Sequence, residues 1–265
     1  MFNQSGAASG IDTKAAVIAE IAIVAYFYAM RSCEITETPT PGRTKITRLR
    51  RVTFRDASHQ EIPHTEPRIS SACRVTVTFE NQKNGLKMDR RTHERTGDPV
   101  VCPVLRLSSR IKRILAADDK AEPDTPVSTI WRTGGRGVVT SEELRLHLRS
   151  ACTKGGGVGT FGYGESDIGT RSLRSEATMG LFLMNHPVAK IIILGRWSSD
   201  AFLVYIRPQV LEWTNQLSGD MIRNDTFFDA ADSRRSSVDN PLTRERTTLL
   251  PDGSRTKTSK IHIHH

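Results

Sequence analysis

Residues 168–208 read IGTRSLRSEATMGLFLMNHPVAKIIILGRWSSDAFLVYIRP. The run holds Arg171 and Arg174 in one cluster, Arg196 and Trp197 in a second, and Tyr205 beyond them. Cationic donors gathered near a phenol fit a site for a phosphate group and a tyrosine nucleophile. Leu173, Ala177, Leu181 and Met184 fall at spacings that predict a helix from Ser172 to about Met184, stopped by His186-Pro187. Arg174 lies near the start of that helix, where unpaired backbone N–H groups favour an anion. Ile191–Leu194 is expected as a buried segment ending at Gly195, and a last helix is expected to carry Tyr205 one turn after Ala201. Taken singly, an arginine on a helix is ordinarily a solvated face, and a tyrosine in an apolar run is ordinarily core. The order and spacing of the set distinguish it.

Working back toward the N-terminus, Asp12 or Thr13 caps a helix that runs to about Met30, with Val17, Ile21, Val24 and Tyr28 on one face. That helix is apolar nearly all round, so it is expected to be buried on several sides. Glu20 interrupts it, and a membrane span needs about 18 or more unbroken apolar residues, so it reads as a core helix. It ends at Arg31-Ser-Cys-Glu34. An arginine and a glutamate there either form an ion pair or hold the arginine toward a ligand. Segments 46–54 and 73–79 alternate as strands, and Asn84-Gly85 marks a hairpin whose return strand is 88–95. Lys83 stands beside that turn.

Pro103 opens another helix, with Leu105, Ile111 and Leu115 expected inside. Arg106, Arg110, Lys112 and Arg113 are expected on its outside, as a phosphate-facing stripe or as an ordinary solvated surface. Residues 127–131 suggest a short strand, and Thr140-Ser-Glu-Glu143 starts a helix that continues through Cys152. The glycine-rich segment 155–164 lacks the Gly-Lys-Ser/Thr of a P-loop and the dinucleotide fingerprint, so it is expected as a flexible lead-in. The fold class that follows is mainly α with a small antiparallel β-sheet (α+β). One domain is expected over 13–215, after a frayed or truncated start at 1–12 and before a disordered tail at 216–265.

The chain carries 38 Lys and Arg against 29 Asp and Glu, a formal charge of +9. With a pI near 9.7 it favours a polyanionic partner, of which nucleic acid is the commonest. Cys33, Cys73, Cys102 and Cys152 lie far apart and form no ligand pattern, which argues for reduced thiols and against zinc. The terminal His-Ile-His-His has no further ligand pattern beside it.

With these residues laid out, the chain resembles the catalytic domain of the tyrosine recombinases, the phage-integrase family, in the form carried by eukaryotic mobile elements. The resemblance covers about Ala15 to Trp213. That family has an arginine at a helix end followed three positions on by an acidic residue, matched by Arg31 and Glu34 in YFYAMRSCE. It has a lysine in a β-hairpin, matched by Lys83 in QKNGLK. It has a His-x-x-Arg box at a helix start, matched by RSLR, with Arg174 as the second essential arginine and Arg171 at the histidine position. It has a Leu-Gly-His/Trp box with the tyrosine nine residues on, matched by LGRW, with Arg196 at the His/Trp position, Trp197 next to it, and Tyr205 as the nucleophile.

The resemblance implies DNA strand breakage and rejoining through a 3′-phosphotyrosyl intermediate, needing neither metal nor cofactor. Duplex DNA is then the partner, the active form a homo-oligomeric synapse, and the location nuclear for a eukaryotic mobile element or otherwise cytoplasmic, with no membrane involved. Arg171 and Arg196 depart from the pattern, because arginine donates to phosphate oxygens but does not shuttle protons near neutral pH. The alternative they raise is a decayed recombinase-like module that binds DNA without chemistry.

Overall fold

The computed structural model describes residues 13–39, 42, 44–82, 85–118 and 121–197, together with 246–249 and 255–258. It divides into two units, Met1–Leu211 and Glu212–His265. The first mixes helices with small antiparallel sheets, an α+β fold.

Helix α1 (Lys14–Phe27) is its axis. Thr13 caps it, the Oγ1 accepting from Ala16 N–H at 3.3 Å. Val17, Ile18, Ile21, Val24 and Ala25 are buried, and the helix packs against α3, α4 and α6, described below. Glu20, which breaks the apolar run, is buried too and pairs with Arg113. A short helix, α2 (Ser32–Ile35), follows.

Four strands form one antiparallel sheet in the order β2 (Glu61–Ile62), β1 (Val52–Arg55), β3 (Arg74–Asn81), β4 (Lys87–Glu94). The strand expected at 46–54 is half that length. Leu49 and Arg50 donate their N–H groups to Thr125 and Pro123 carbonyls at 2.9 Å, which diverts them into a 3-10 turn, Leu49–Arg51. Central strand β3 buries Val75, Thr76, Val77, Thr78 and Phe79 in succession, as a strand covered on both faces does. Gly85, at φ 83°, supplies the left-handed residue of the β3–β4 hairpin.

Helix α3 (Pro103–Ala117) starts with proline in its first turn, as expected. Its buried face is rotated from the expected one. Val104, Leu107, Ser108, Arg110, Ile111 and Ile114 face inward, while Leu105 and Leu115 are only partly buried. A small hairpin, β5 (Thr129–Arg132) with β6 (Gly135–Val138), leads to α4 (Ser141–Lys154). Thr140 and Glu143 close a capping box on α4. The glycine-rich lead-in holds a one-turn helix, α5 (Gly157–Phe161), before α6 (Ser172–Leu183) and α7 (Val188–Gly195). The expected buried segment at 191–194 is thus a helix, with Ile191 buried and Ile193 open to solvent.

In the second unit, the described residues form a hairpin, β7 (Arg246–Leu249) with β8 (Arg255–Thr258), inside the stretch expected to be a disordered tail. Among the described residues no helix is long and apolar enough to cross a membrane.

Candidate functional site: an arginine cluster at the end of helix α1

Helix α1 ends in a Schellman-type closure. Met30 N–H donates to Ala25 O at 2.8 Å and Ala29 N–H to Tyr26 O at 3.0 Å, with Ala29 in the left-handed region at φ 44°. Glycine is the usual residue at that position, and an L-residue there costs about 1 kcal/mol. The carbonyls of Tyr28 and Ala29 lie past the last turn, at the negative end of the helix dipole. Two arginines from the far end of the domain take them. Arg196 Nη1 donates to Tyr28 O at 2.7 Å, and Arg174 Nη1 to Ala29 O at 2.7 Å.

Helix α7 closes by the same pattern. Arg196 N–H donates to Ile193 O at 3.2 Å and Trp197 N–H to Ile192 O at 3.1 Å, with Arg196 left-handed at φ 57°. The freed carbonyl of Gly195 accepts from Arg174 Nη2 at 2.5 Å. Arg174 therefore stitches the C-terminal ends of α1 and α7 together. Its guanidinium carbon stands 4.1 Å from the centre of the Trp197 ring, and that of Arg196 stands 3.8 Å from the Phe79 ring. Gly195 is fixed by this packing, because a Cβ there would meet the Trp197 ring at 1.5 Å.

Glu34 binds the cluster from below α1. Its carboxylate is fully buried and accepts from Arg31 N–H at 2.8 Å, Arg31 Nη1 at 2.9 Å and Arg196 Nη2 at 2.6 Å. The sequence alone left open whether Arg31 and Glu34 form an ion pair or hold the arginine for a ligand. They are paired, and Glu34 is shared with Arg196. Burial pushes Arg196 below the ordinary arginine range, and the charge of Glu34 opposes that push. Two guanidinium groups, Arg31 and Arg196, meet the Glu34 carboxylate, and Arg174 adds a third beside them on the Ala29 carbonyl, so these residues together carry more positive than negative charge. Arg31 is its partly exposed member, with 23% of its side chain accessible. Its Nε and Nη2 have no acceptor among the described residues.

Gln82 belongs to the cluster and was not foreseen. Its Oε1 accepts from Arg196 Nε at 3.1 Å, and its Nε2 donates to Asp89 at 3.1 Å. Only its place beside Lys83 in QKNGLK pointed to it. Tyr28 was foreseen as core but also lends its backbone carbonyl, while its hydroxyl donates to Val75 O at 2.8 Å.

The structure thus brings together Arg31, Glu34, Arg174, Arg196 and Trp197. Lys83 and Tyr205 lie outside the described residues. Arg171 is exposed at the N-cap of α6, apart from the buried network. The α3 stripe divides. Arg110, expected on the outside, is 1% exposed and donates to the carbonyls of Val127 and Thr129. It is a buried staple between α3 and the β5 segment and cannot face DNA, a correction that follows from the rotated face of α3. Arg106 and Arg113 remain partly accessible. Among the described residues no group of His, Cys, Asp or Glu is placed to hold a metal ion.

Chemically, the cluster can hold an oxyanion only at the donors still open to it. A phosphate oxygen reaching Arg174 competes with the Ala29 and Gly195 carbonyls, whereas Arg31 offers free donors directly. Comparison of the chain with protein-family models and with curated proteins finds no match.

Proposed function

We propose that this chain breaks and rejoins DNA strands through a 3′-phosphotyrosyl intermediate, as the tyrosine recombinases do. One observation carries the proposal. Arginines at 31, 174 and 196, which make bonds across up to 168 residues, gather at the end of α1, Arg31 and Arg196 on the buried Glu34 carboxylate and Arg174 on the Ala29 carbonyl beside it. Tyr205 Oη, its proton passing to solvent water, would attack the scissile phosphorus, forming the phosphotyrosine bond and breaking the bond to the 5′ oxygen. Lys83 would give that oxygen its proton, so that a 5′-hydroxyl leaves. Arg31 and Arg174 would neutralise the charge building on the phosphoryl oxygens, with Arg171 at the rim. A 5′-hydroxyl from a second strand then attacks the phosphotyrosine and restores Tyr205. Duplex DNA as partner, a homo-oligomeric synapse and a nuclear location belong to the same proposal.

A second reading has its own observation. Arg174 and Arg196 are 1% exposed, and they donate to backbone carbonyls, Glu34 and Gln82. Arginine at 171 does not shuttle protons. Both facts favour a module that keeps a basic DNA-binding surface and has lost the chemistry.

A nicked suicide duplex separates the two. Strand exchange requires a denaturant-resistant protein–DNA adduct with the wild-type chain and none with Tyr205→Phe. Arg31→Ala should lower the adduct yield about 10²-fold or more. Duplex binding with no adduct establishes the second reading. An adduct that survives Tyr205→Phe refutes the assignment of the nucleophile.

A further inference from the structure

We infer that the outer side of α3, with the 3-10 turn Pro67–Ser71 beside it, forms a second site that binds a phosphate group. A cavity of about 320 Å³ lies there, and its polar lining is Ser70, Arg106, Ser108, Ser109, Lys112 and Arg113. Lys112 Nζ donates to Ser70 Oγ at 3.0 Å, and Arg113 Nη2 donates to Ser109 Oγ at 2.7 Å. Each of these hydroxyls therefore accepts from a cation and keeps its own hydrogen. Neither donates to an acceptor among the described residues. Ser108 Oγ already donates to Leu105 O at 3.0 Å.

Arg106 supplies the donor that most requires a ligand. Its Nη2 donates to Pro99 O at 2.7 Å, but its Nε is buried and has no partner among the described residues. A fourth cation, Arg95, binds the backbone carbonyl of Ser70 at the edge. Two carboxylates face the group. Glu20 pairs with Arg113, and Asp98 feels the charge of Arg106 while accepting from Val100 and Val101 N–H. Lys112 has no carboxylate partner among the described residues, so positive charge remains. Guanidinium, ammonium and hydroxyl donors around one small cavity match a tetrahedral oxyanion, which accepts from several directions at once.

The site shares no residue with the arginine cluster and stands whether or not the chain forms a phosphotyrosine. Its ligand is a phosphate group, either a phosphodiester of a DNA backbone or free inorganic phosphate. The test is titration of the full-length chain with inorganic phosphate, against chloride at matched ionic strength, by calorimetry or NMR. Wild type should bind saturably. Lys112→Ala and Arg106→Ala together should weaken binding at least about tenfold, and Lys112→Arg should retain it. Lys112 is exposed, so Lys112→Ala alone carries the test if the double variant does not fold.

The source is then read from an uncleavable duplex. If the variants also lower the slope of log affinity against log salt by about 1 per lost contact, the site holds a backbone phosphate. If phosphate binding falls while duplex binding is unchanged, it holds free phosphate. Absence of saturable phosphate binding by wild type, or binding that both substitutions leave intact, overturns the inference. The suicide-substrate adduct depends on neither result.

Discussion

The end of α1 and the outer side of α3 are both rich in arginine, and they use it in opposite ways. At α1 the guanidinium groups of Arg174 and Arg196 are sealed in, and their N–H groups close helix ends that would otherwise leave carbonyls unpaired. On α3, Arg106, Lys112 and Arg113 border a cavity and hold serine hydroxyls or a loop carbonyl while staying accessible. Arg110 sits on the same helix yet belongs to the first kind. Density of positive charge along a sequence therefore does not say which arginines can meet an anion. The carbonyls nearby decide it.

The largest way to break this comparison is Arg196→Met. It leaves the buried Glu34 carboxylate with one cation in place of two and uncovers Tyr28 O. Urea denaturation should show a loss of about 3–5 kcal/mol, and Glu34→Gln in the same chain should return part of it. A loss below about 1 kcal/mol would mean that the cluster is held together by something other than this pair. Next is Arg110→Met, which strips two buried carbonyls of their donor. It should cost about 2–3 kcal/mol while leaving the salt dependence of duplex binding unchanged. A lower salt slope would return Arg110 to the DNA-facing set.

Gly195→Ala sharpens the geometry of the α7 end. The added methyl collides with the Trp197 ring, so thermal unfolding should show a loss of about 1–3 kcal/mol, together with a change in tryptophan fluorescence.

Smaller again is Glu143→Gln. Burial raises the Glu143 carboxyl, but Thr140 N–H, Lys14 and Arg132 outweigh it and hold the group at about 2, against an ordinary 4.5. A depressed carboxyl stabilises the fold above its unfolded value, and that contribution fades as pH falls through the folded value. Wild-type stability should therefore drop as pH falls from about 4.5 toward about 2. The Gln variant should be less stable by about 1 kcal/mol at neutral pH and flatter across that window. Smallest is Lys112→Ala, which should change stability by no more than about 0.5 kcal/mol, since it touches only an exposed serine.

Much of this architecture is legible in the sequence where a local signal sets it. Thr13 and Thr140 announce helix starts, Asn84-Gly85 announces the β3–β4 turn, and the 3.6-residue period marks α6. The residues that gather at α1 stand together in the sequence only through the resemblance, which groups Arg31 and Glu34 with Arg174, Arg196 and Trp197. The face of α3 was misread because a buried arginine looks like a solvated one until Val127 and Thr129 carbonyls are seen beside it. The strand at 46–54 was overdrawn because a distant loop captures its backbone donors. Gln82 was missed for the same reason, since its partner lies 114 residues away.

The bonds that cap α1 reach across 145 and 168 positions of the chain. During synthesis, α1 and the sheet have left the ribosome long before α7 exists. The end of α1 thus waits with two bare carbonyls and a carboxylate holding half its partners, until α7 arrives to lock it. A chain stopped short of Arg196 would carry the core residues of α1 and β3 and still lack the clasp that fixes their junction.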